Sequence, residues 1–469
     1  MKTHSKYFYY LLYFLFCTSF SQASIKFPSV IGDQMVLQRN SNVKLWGWAD
    51  KGEQVSVQPS WDQTKSYIAE SLPDGKWWVE IPTPNAGGPY DLIFQSLNDR
   101  KVLKDVLIGE VWICSGQSNM EMPLKGFMSQ PVYESNDIIA HSNNSQIRLF
   151  TVKRNISQTP LEDCEGEWKP SGPKDVINFS AVAYLYGEYL HKVLNVPIGL
   201  IHTSWGGSPA EAWTDEETLK HDFPEISIRL YEEKRRHKSP SVLYNAMLNP
   251  LMPFGIRGVI WYQGEDNRAN PIQYERLLPA MIQTWRQKWG QGEFPFYFTQ
   301  IAPFRYDSTC NTAELREAQL NVMLKTPNTG MAVTLDVGEW ETIHPGNKVA
   351  VAKRLAYWAL ANTYRMEGVE YCGPIFKSKR IDGNKVILDF DFAEQGLTSL
   401  GKSLDGYTIA GNDRKFYPAQ AIIKGKSLVV TSDSVPNPVA VRYGWSNYLN
   451  GNLYNNAGIP ASSFRTDNW

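Results

Sequence analysis

The chain has 469 residues, too long for one hydrophobic core, so two or three domains are expected. With 42% hydrophobic and 20% charged residues and no low-complexity tract, its composition is that of an ordinary globular protein. A net charge of −1 gives no electrostatic case for binding nucleic acid or an anionic membrane surface.

The first residues carry a signal. Lys2 and Lys6 precede an apolar run over 7–20, and Ser21, Gln22 and Ala23 follow where a signal peptidase would cut. The run is too short to span a bilayer, so 1–23 is expected to be a secretory signal peptide. The mature chain then starts near Ser24 and is secreted or periplasmic, with no membrane partner. Cys17 suggests a lipoprotein site, but bulky Phe16 before it argues against one. Export leaves Cys114, Cys164, Cys310 and Cys372, which allow three pairings; Cys114, inside an apolar strand pattern, reads as a buried free thiol. No Cys-x-x-Cys or His-x-x-x-His pattern occurs, so no metal is indicated.

Residues 24–105 show short alternating strands over 43–46, 54–57, 77–81 and 90–94, with Asp74-Gly75 as a hairpin turn. A β-sandwich domain is expected there. Over 106–372 apolar strands (106–114, 198–203, 256–262, 294–301, 331–336) alternate with helical stretches (181–194, 272–289, 313–325, 347–363). That rhythm predicts an α/β domain, a parallel sheet with helices on both faces. Over 373–469 short strands return at 385–390, 421–423, 427–430 and 439–443, and Asp382-Gly383 makes another turn, so a C-terminal all-β domain is expected. Aromatic content is 13%, with 16 Trp and 24 Tyr. Flat rings stack on sugars, yet they also fill β-rich cores.

Ligand sites on parallel sheets lie at the carboxyl ends of the strands, and four such ends carry unusual polar residues. Gly116-Gln117-Ser118-Asn119-Met120 follows the strand ending at Cys114. A serine on a strand-to-helix turn is exposed as a nucleophile, although it serves equally well as a helix cap. Ser204-Trp205-Gly206-Gly207-Ser208 offers paired glycines whose N–H groups can approach an oxyanion. Its Gly206-Gly207-Ser208-Pro209-Ala210 stretch faintly resembles a nucleophile elbow, but Pro209 at a first helical position makes Ser208 read as a cap. In Trp261-Tyr262-Gln263-Gly264-Glu265-Asp266-Asn267, the Gln263 amide suits an oxyanion donor, and Glu265 suits a loop contact or a substrate hydroxyl. The fourth end, 336–345, carries Asp336, Glu339, Glu341 and His344. Imidazole is the natural proton shuttle near neutral pH, and a carboxylate fixes its tautomer. Serine, donors and histidine together would complete an ester-hydrolysis site.

Across the mature chain the sequence resembles the sialate O-acetylesterase family of SGNH-type hydrolases, which includes acetylxylan esterases. The resemblance rests on Asp33-Gln-Met-Val-Leu-Gln-Arg39, Trp46-Gly-Trp48, Gly87-Gly-Pro-Tyr90, Gly109-Glu-Val-Trp112 through Met120, Ser204-Trp-Gly-Gly207, Trp261-Tyr-Gln-Gly-Glu265, Ile343-His-Pro345 with Lys348, Val441-Arg-Tyr443, Asn452-Leu-Tyr-Asn455 and Phe464-Arg-Thr-Asp467. It implies an SGNH/flavodoxin-like sheet flanked by the two all-β domains, and a serine esterase that cleaves O-acetyl esters of carbohydrates without a cofactor. Ser118 would attack the acetyl carbonyl and His344 would take its proton. N–H groups at Ser118 and Gly207 (or Gly206), with the Gln263 side chain, would hold the oxyanion, and Asn119 and Glu265 would contact substrate. The acid orienting His344 stays open. Spacing points to Glu341, three residues before it, and next to Asp336, with Glu339 and a backbone carbonyl as alternatives. Many relatives carry Asn-Asp where this chain has Glu341-Thr342.

The partner implied is an O-acetylated sugar or glycan, acetylated sialic acid and acetylated plant glycan fitting equally. A non-catalytic carbohydrate-binding protein with a decayed hydrolase domain would have lost Ser118 or His344, and both are present. An α/β-hydrolase using Ser208 is a third reading. The flanking β domains are compatible with glycan binding, packing or oligomerisation.

Overall fold

A computed structural model describes residues 25–307 and 309–469; the expected signal peptide lies outside the described residues. The N-terminal part contains β1 (Val36–Gln38), β2 (Asn42–Trp48), β3 (Gln54–Pro59), β4 (Tyr67–Glu70), β5 (Lys76–Pro82) and β6 (Gly87–Gln95). β2 and β5 pair antiparallel in a two-stranded sheet of their own. Their pleat buries Val43, Leu45, Trp77, Val79 and Ile81 and turns alternate residues outward.

β7 (Arg100–Gly116) joins this part to the next without a break. Its first half lies antiparallel to β6 and its middle parallel to β1. Its last half runs parallel between β10 (Ile198–Ser204) and β11 (Gly258–Tyr262). Burial along β7 changes at Val106 from alternating to continuous, because the strand passes from a sheet covered on one side to one covered on both. The composition shift near 105/106 therefore marks a change of environment within one strand.

The central order is β13-β12-β11-β7-β10-β8-β9, with β8 Asn144–Thr151, β9 Trp168–Ser171, β12 Phe296–Thr299 and β13 Thr329–Ala332. All neighbours are parallel except the antiparallel edge strand β9. With β1, β3, β4 and β6 attached through β7, the sheet has 11 strands and is mixed, which corrects the expectation of a purely parallel one. The helix Ala181–Leu194 packs against Lys348–Trp358, and Pro271–Trp289 against Thr312–Lys325, so that two helix pairs cover the sheet. Glu110, fully buried on β7, receives Arg39 Nε at 2.5 Å, Arg257 Nε at 2.6 Å and the Tyr364 hydroxyl at 3.1 Å. This ties the N-terminal strands to the central sheet.

The C-terminal part forms two four-stranded antiparallel sheets, one containing Lys385–Asp391 and Ser427–Thr431, the other Tyr407–Ala410 and Ala440–Tyr443. Among the described residues all four cysteines are free, no helix is long and apolar enough to cross a membrane, and no cluster of metal-binding side chains occurs.

Arg316, on the helix Thr312–Lys325, fastens the C-terminal part to the sheet. Fully buried, it donates to Ser463 Oγ at 2.9 Å, Gly444 O at 2.9 Å, Ser446 O at 2.6 Å and Thr312 Oγ1 at 3.2 Å. Burial lowers its pKa to about 10. Arg316→Met would remove these four hydrogen bonds at once, leaving Gly444 O only the Ser463 hydroxyl at 3.0 Å as donor, and is expected to destabilise the protein by about 3 kcal/mol. Urea unfolding measures this, and a loss no larger than that of a surface substitution would contradict the anchoring role.

Candidate active site

β7 occupies the point where strand order reverses, between β10 and β11, and the carboxyl ends of these three strands meet. Gly116 ends β7 at φ +140°, and a Cβ there would stand 2.2 Å from the Tyr262 carbonyl oxygen, so only glycine fits. Gln117 N–H then donates to Tyr262 O at 2.9 Å, while Gln117 Oε1 accepts from Gly264 N at 3.3 Å and Asp266 N at 3.4 Å. Trp205 N–H reaches Gly116 O at 3.2 Å. The three loops are thus bound to one another through backbone groups.

Ser118 opens the short helix Ser118–Glu121 without capping it. Its hydroxyl meets His344 Nε2 at 2.8 Å. The other ring nitrogen, Nδ1, lies 2.6 Å from Gln130 Oε1, which also accepts from the Thr342 hydroxyl at 3.1 Å. An amide oxygen only accepts, so Nδ1 carries the proton and Nε2 is left free to receive that of Ser118. The Thr342 hydroxyl accepts from His344 N–H at 3.0 Å, and the ring edge of Phe127 packs 5.2 Å from the imidazole. Burial, with a smaller effect of the Lys348 charge, lowers the His344 pKa to about 4, so the imidazole is neutral at physiological pH.

The carboxylates expected beside His344 are elsewhere. Glu341, 73% exposed, pairs with Arg305 at 2.7 Å. Asp336 grips Arg354 through both oxygens at 2.7 Å. Glu339 accepts from Tyr133 and from Gly346 N–H. Gln130 went unread because it lies in an irregular stretch between the first two central strands, where no periodicity drew attention. The only signal was indirect: Glu341-Thr342 in place of the family's Asn-Asp implies that the histidine's partner has moved.

The donors sort differently from expectation as well. Gly206 lies against Ser118, but its N–H is taken by Glu121 Oε2 at 2.5 Å, and Glu121 also holds Arg154. Gly207, at φ +68°, has an N–H with no partner among the described residues. Gln263 is fully buried, and its amide is committed to Asn267 Oδ1 at 2.6 Å and Ser208 O at 3.2 Å. Its expected oxyanion role is not supported by this placement. Asn119 is 0% and Glu265 3% exposed, too buried to touch a sugar. Asn119 Nδ2 donates to Glu265 Oε1 at 2.6 Å and to Ile343 O at 3.1 Å, and its oxygen accepts from Lys348 Nζ at 2.6 Å. They therefore brace the serine turn against the histidine loop. Burial lowers the Lys348 pKa to about 7 and raises that of Glu265, so their mutual proximity offsets only part of the desolvation.

Among the described residues Ser208 has no histidine partner. It donates to Trp205 O and accepts from the Trp213 indole instead of capping a helix, so the α/β-hydrolase reading has no base. A cavity of about 470 Å³ is lined by Glu121, by Phe127, whose ring packs on His344, and by Arg154, Asn178, His202 and Ser204. His202 and Ser204, 2.6 Å apart, form its buried wall.

Gln130→Ala is expected to lower kcat about 10²-fold or more by releasing the imidazole tautomer, whereas Glu341→Ala should stay within about twofold. In the parent protein kcat/KM should hold down to mildly acidic pH and fall only as His344 protonates near pH 4. Gln130→Glu sets a negative charge on Nδ1, stabilises the imidazolium and should move that acidic limb to higher pH. Equal losses in the Gln130 and Glu341 variants would refute this assignment.

A family model described as carbohydrate esterase, sialic acid-specific acetylesterase, matches residues 108–360. The chain is 30% identical to the sialate O-acetylesterase of Pongo abelii, covering 94% of this chain and 92% of that one, and 29% identical to the Homo sapiens sialate O-acetylesterase with the same coverage. The crystal structure of a carbohydrate acetylesterase from Xanthomonas citri superposes with a TM-score of 0.87 at 37% identity, over 95% of this chain and 100% of that one. This chain belongs to the carbohydrate esterase family of sialic acid-specific acetylesterases.

Proposed function

We propose that this chain hydrolyses O-acetyl esters of carbohydrates through an acetyl-enzyme on Ser118. The observation that carries this reading is the Ser118 hydroxyl 2.8 Å from an imidazole nitrogen whose partner nitrogen is locked by Gln130. His344 Nε2 takes the hydroxyl proton as Oγ attacks the acetyl carbonyl. The tetrahedral oxyanion is received by backbone N–H groups at Ser118 and Gly207. Collapse breaks the C–O bond to the sugar, and His344 returns the proton to the departing oxygen. Water, deprotonated by the same imidazole, then cleaves the acetyl-enzyme to acetate and restores Ser118.

The cavity beside the pair is the place for the sugar. We read the sheet as SGNH-type, on the order of its central strands and the positions of Ser118, Gly207 and His344 after β7, β10 and β13. Export is also proposed, from the lysines and apolar run at the start of the chain; N-terminal sequencing of the mature protein should begin near Ser24.

Acetate release from p-nitrophenyl acetate, acetylated sialic acids, acetylated xylan and acetylated mannan tests the reading and ranks the substrates. Ser118→Ala should abolish release from every substrate the parent cleaves, a fall of about 10³-fold or more. An inactive parent protein, or an equally active Ser118→Ala variant, would refute it.

A further inference from the structure

The outer face of the β2–β5 sheet has no part in the chemistry above, yet its composition is unusual. The pleat of β2 puts Lys44, Trp46 and Trp48, all half-buried, on the face opposite Val43 and Leu45, where the Trp46 ring meets that of Phe254 at 6.5 Å. On β5 two consecutive tryptophans divide, with Trp77 1% exposed in the core and Trp78 50% exposed outside. Register sets Trp46 opposite Trp78 and Trp48 opposite Lys76, so three indoles gather on one face. With Met252 and Pro253 they line a groove of about 220 Å³, and Lys44, Lys76, Glu162 and Asn249 supply its polar groups.

We propose that this groove is a second carbohydrate site, taking the pyranose rings of an uncharged glycan chain. Single exposed apolar side chains are ordinary, but three indoles collected in a concave, polar-edged groove are not. Indole faces suit the C–H faces of a pyranose, while hydroxyls around the ring need the donors and acceptors found at the groove's edge. The charged groups there are engaged within the protein. Lys44 Nζ lies 4.1 Å from the centre of the Trp78 ring, and Lys76 pairs with Glu162 at 2.5 Å and Asp74 at 3.3 Å. With Lys76 held by two carboxylates and Lys44 laid on an indole, each ammonium already has a partner within the protein and neither is set aside to pair with an acidic sugar. The groove also stands apart from the hydrolytic centre: residues 249–253 precede β11, whose opposite, carboxyl end carries the Gln263 loop. A chain held there tethers the enzyme to its polymer without occupying the cavity beside Ser118. This tether rests on the carbohydrate esterase reading for its purpose, but the binding does not depend on catalysis.

Titration calorimetry of the full chain with unacetylated xylohexaose, cellohexaose and 3′-sialyllactose tests the site. At least one neutral hexaose should bind, and Trp78→Ala should weaken that binding about tenfold, the loss of one central aromatic contact. The same variant should hydrolyse p-nitrophenyl acetate at the parent rate, and Ser118→Ala should keep the parent affinity. Failure of the esterase reading would show only in the hydrolysis arm. Trp78→Phe, with a smaller aromatic face, should fall between parent and alanine variant, and it serves as the test should the alanine variant not fold. No binding of either neutral hexaose, binding of sialyllactose alone, or a Trp78 variant with lowered Tm but unchanged affinity would overturn the proposal.

Discussion

At Gly116 the backbone of β7 comes so close to β11 that a Cβ would sit 2.2 Å from the Tyr262 carbonyl oxygen. Two consequences follow from that contact. The strand turns away abruptly at positive φ, which lifts Ser118 above the sheet, and the turn is held by backbone and Gln117 hydrogen bonds to the β10 and β11 loops. The serine, the glycine pair and the Gln263 loop therefore share one frame. Their relative positions are set by sheet register rather than by flexible side chains, as preorganised catalysis requires.

Beneath that frame lie buried polar groups with a single common role. Asn119 links Glu265, Lys348 and the Ile343 carbonyl, while Gln263, Asn267, Glu211 and Tyr274 form a second cluster. Burying such groups costs free energy unless their partners are in place. The arrangement thus penalises any shift of the histidine loop relative to the serine turn. It also explains why residues with the chemistry of substrate contacts are absent from the surface: their hydrogen-bonding capacity is spent on scaffolding. Glu265 Oε2 alone lacks a partner in this cluster, and burial raises its pKa.

The choice of Gln130 instead of a carboxylate has an electrostatic meaning. A carboxylate would stabilise the imidazolium and raise the histidine pKa, whereas a neutral amide fixes the tautomer without adding charge. Together with burial and the Lys348 ammonium, it keeps His344 a neutral proton acceptor well below pH 7. The stretch that carries Gln130 also supplies Phe127 against the imidazole ring, and Asn178, after β9, reaches the cavity.

Local pattern carried much of this. The helix expected over 181–194 is Ala181–Leu194, and that over 272–289 is Pro271–Trp289, because amphipathic periodicity and terminal Asn, Pro or Gly residues act within a few residues of chain. Ser118 and His344 were legible for a related reason: both follow apolar strands, and strand ends are where a parallel sheet exposes function. The last strand, expected over 331–336, is Thr329–Ala332, and β8 was not anticipated, since short strands inside long loops leave weak periodicity. What the sequence alone could not reveal were the partners. Gln130 reaches His344 across 214 positions and Asn119 reaches Lys348 across 229. Asp336 and Glu341 stand nearer His344 in the chain yet are drawn off by Arg354 and Arg305. A residue's type and its strand end can be read locally, but the group its side chain meets is decided by which distant segments the packed sheet brings together.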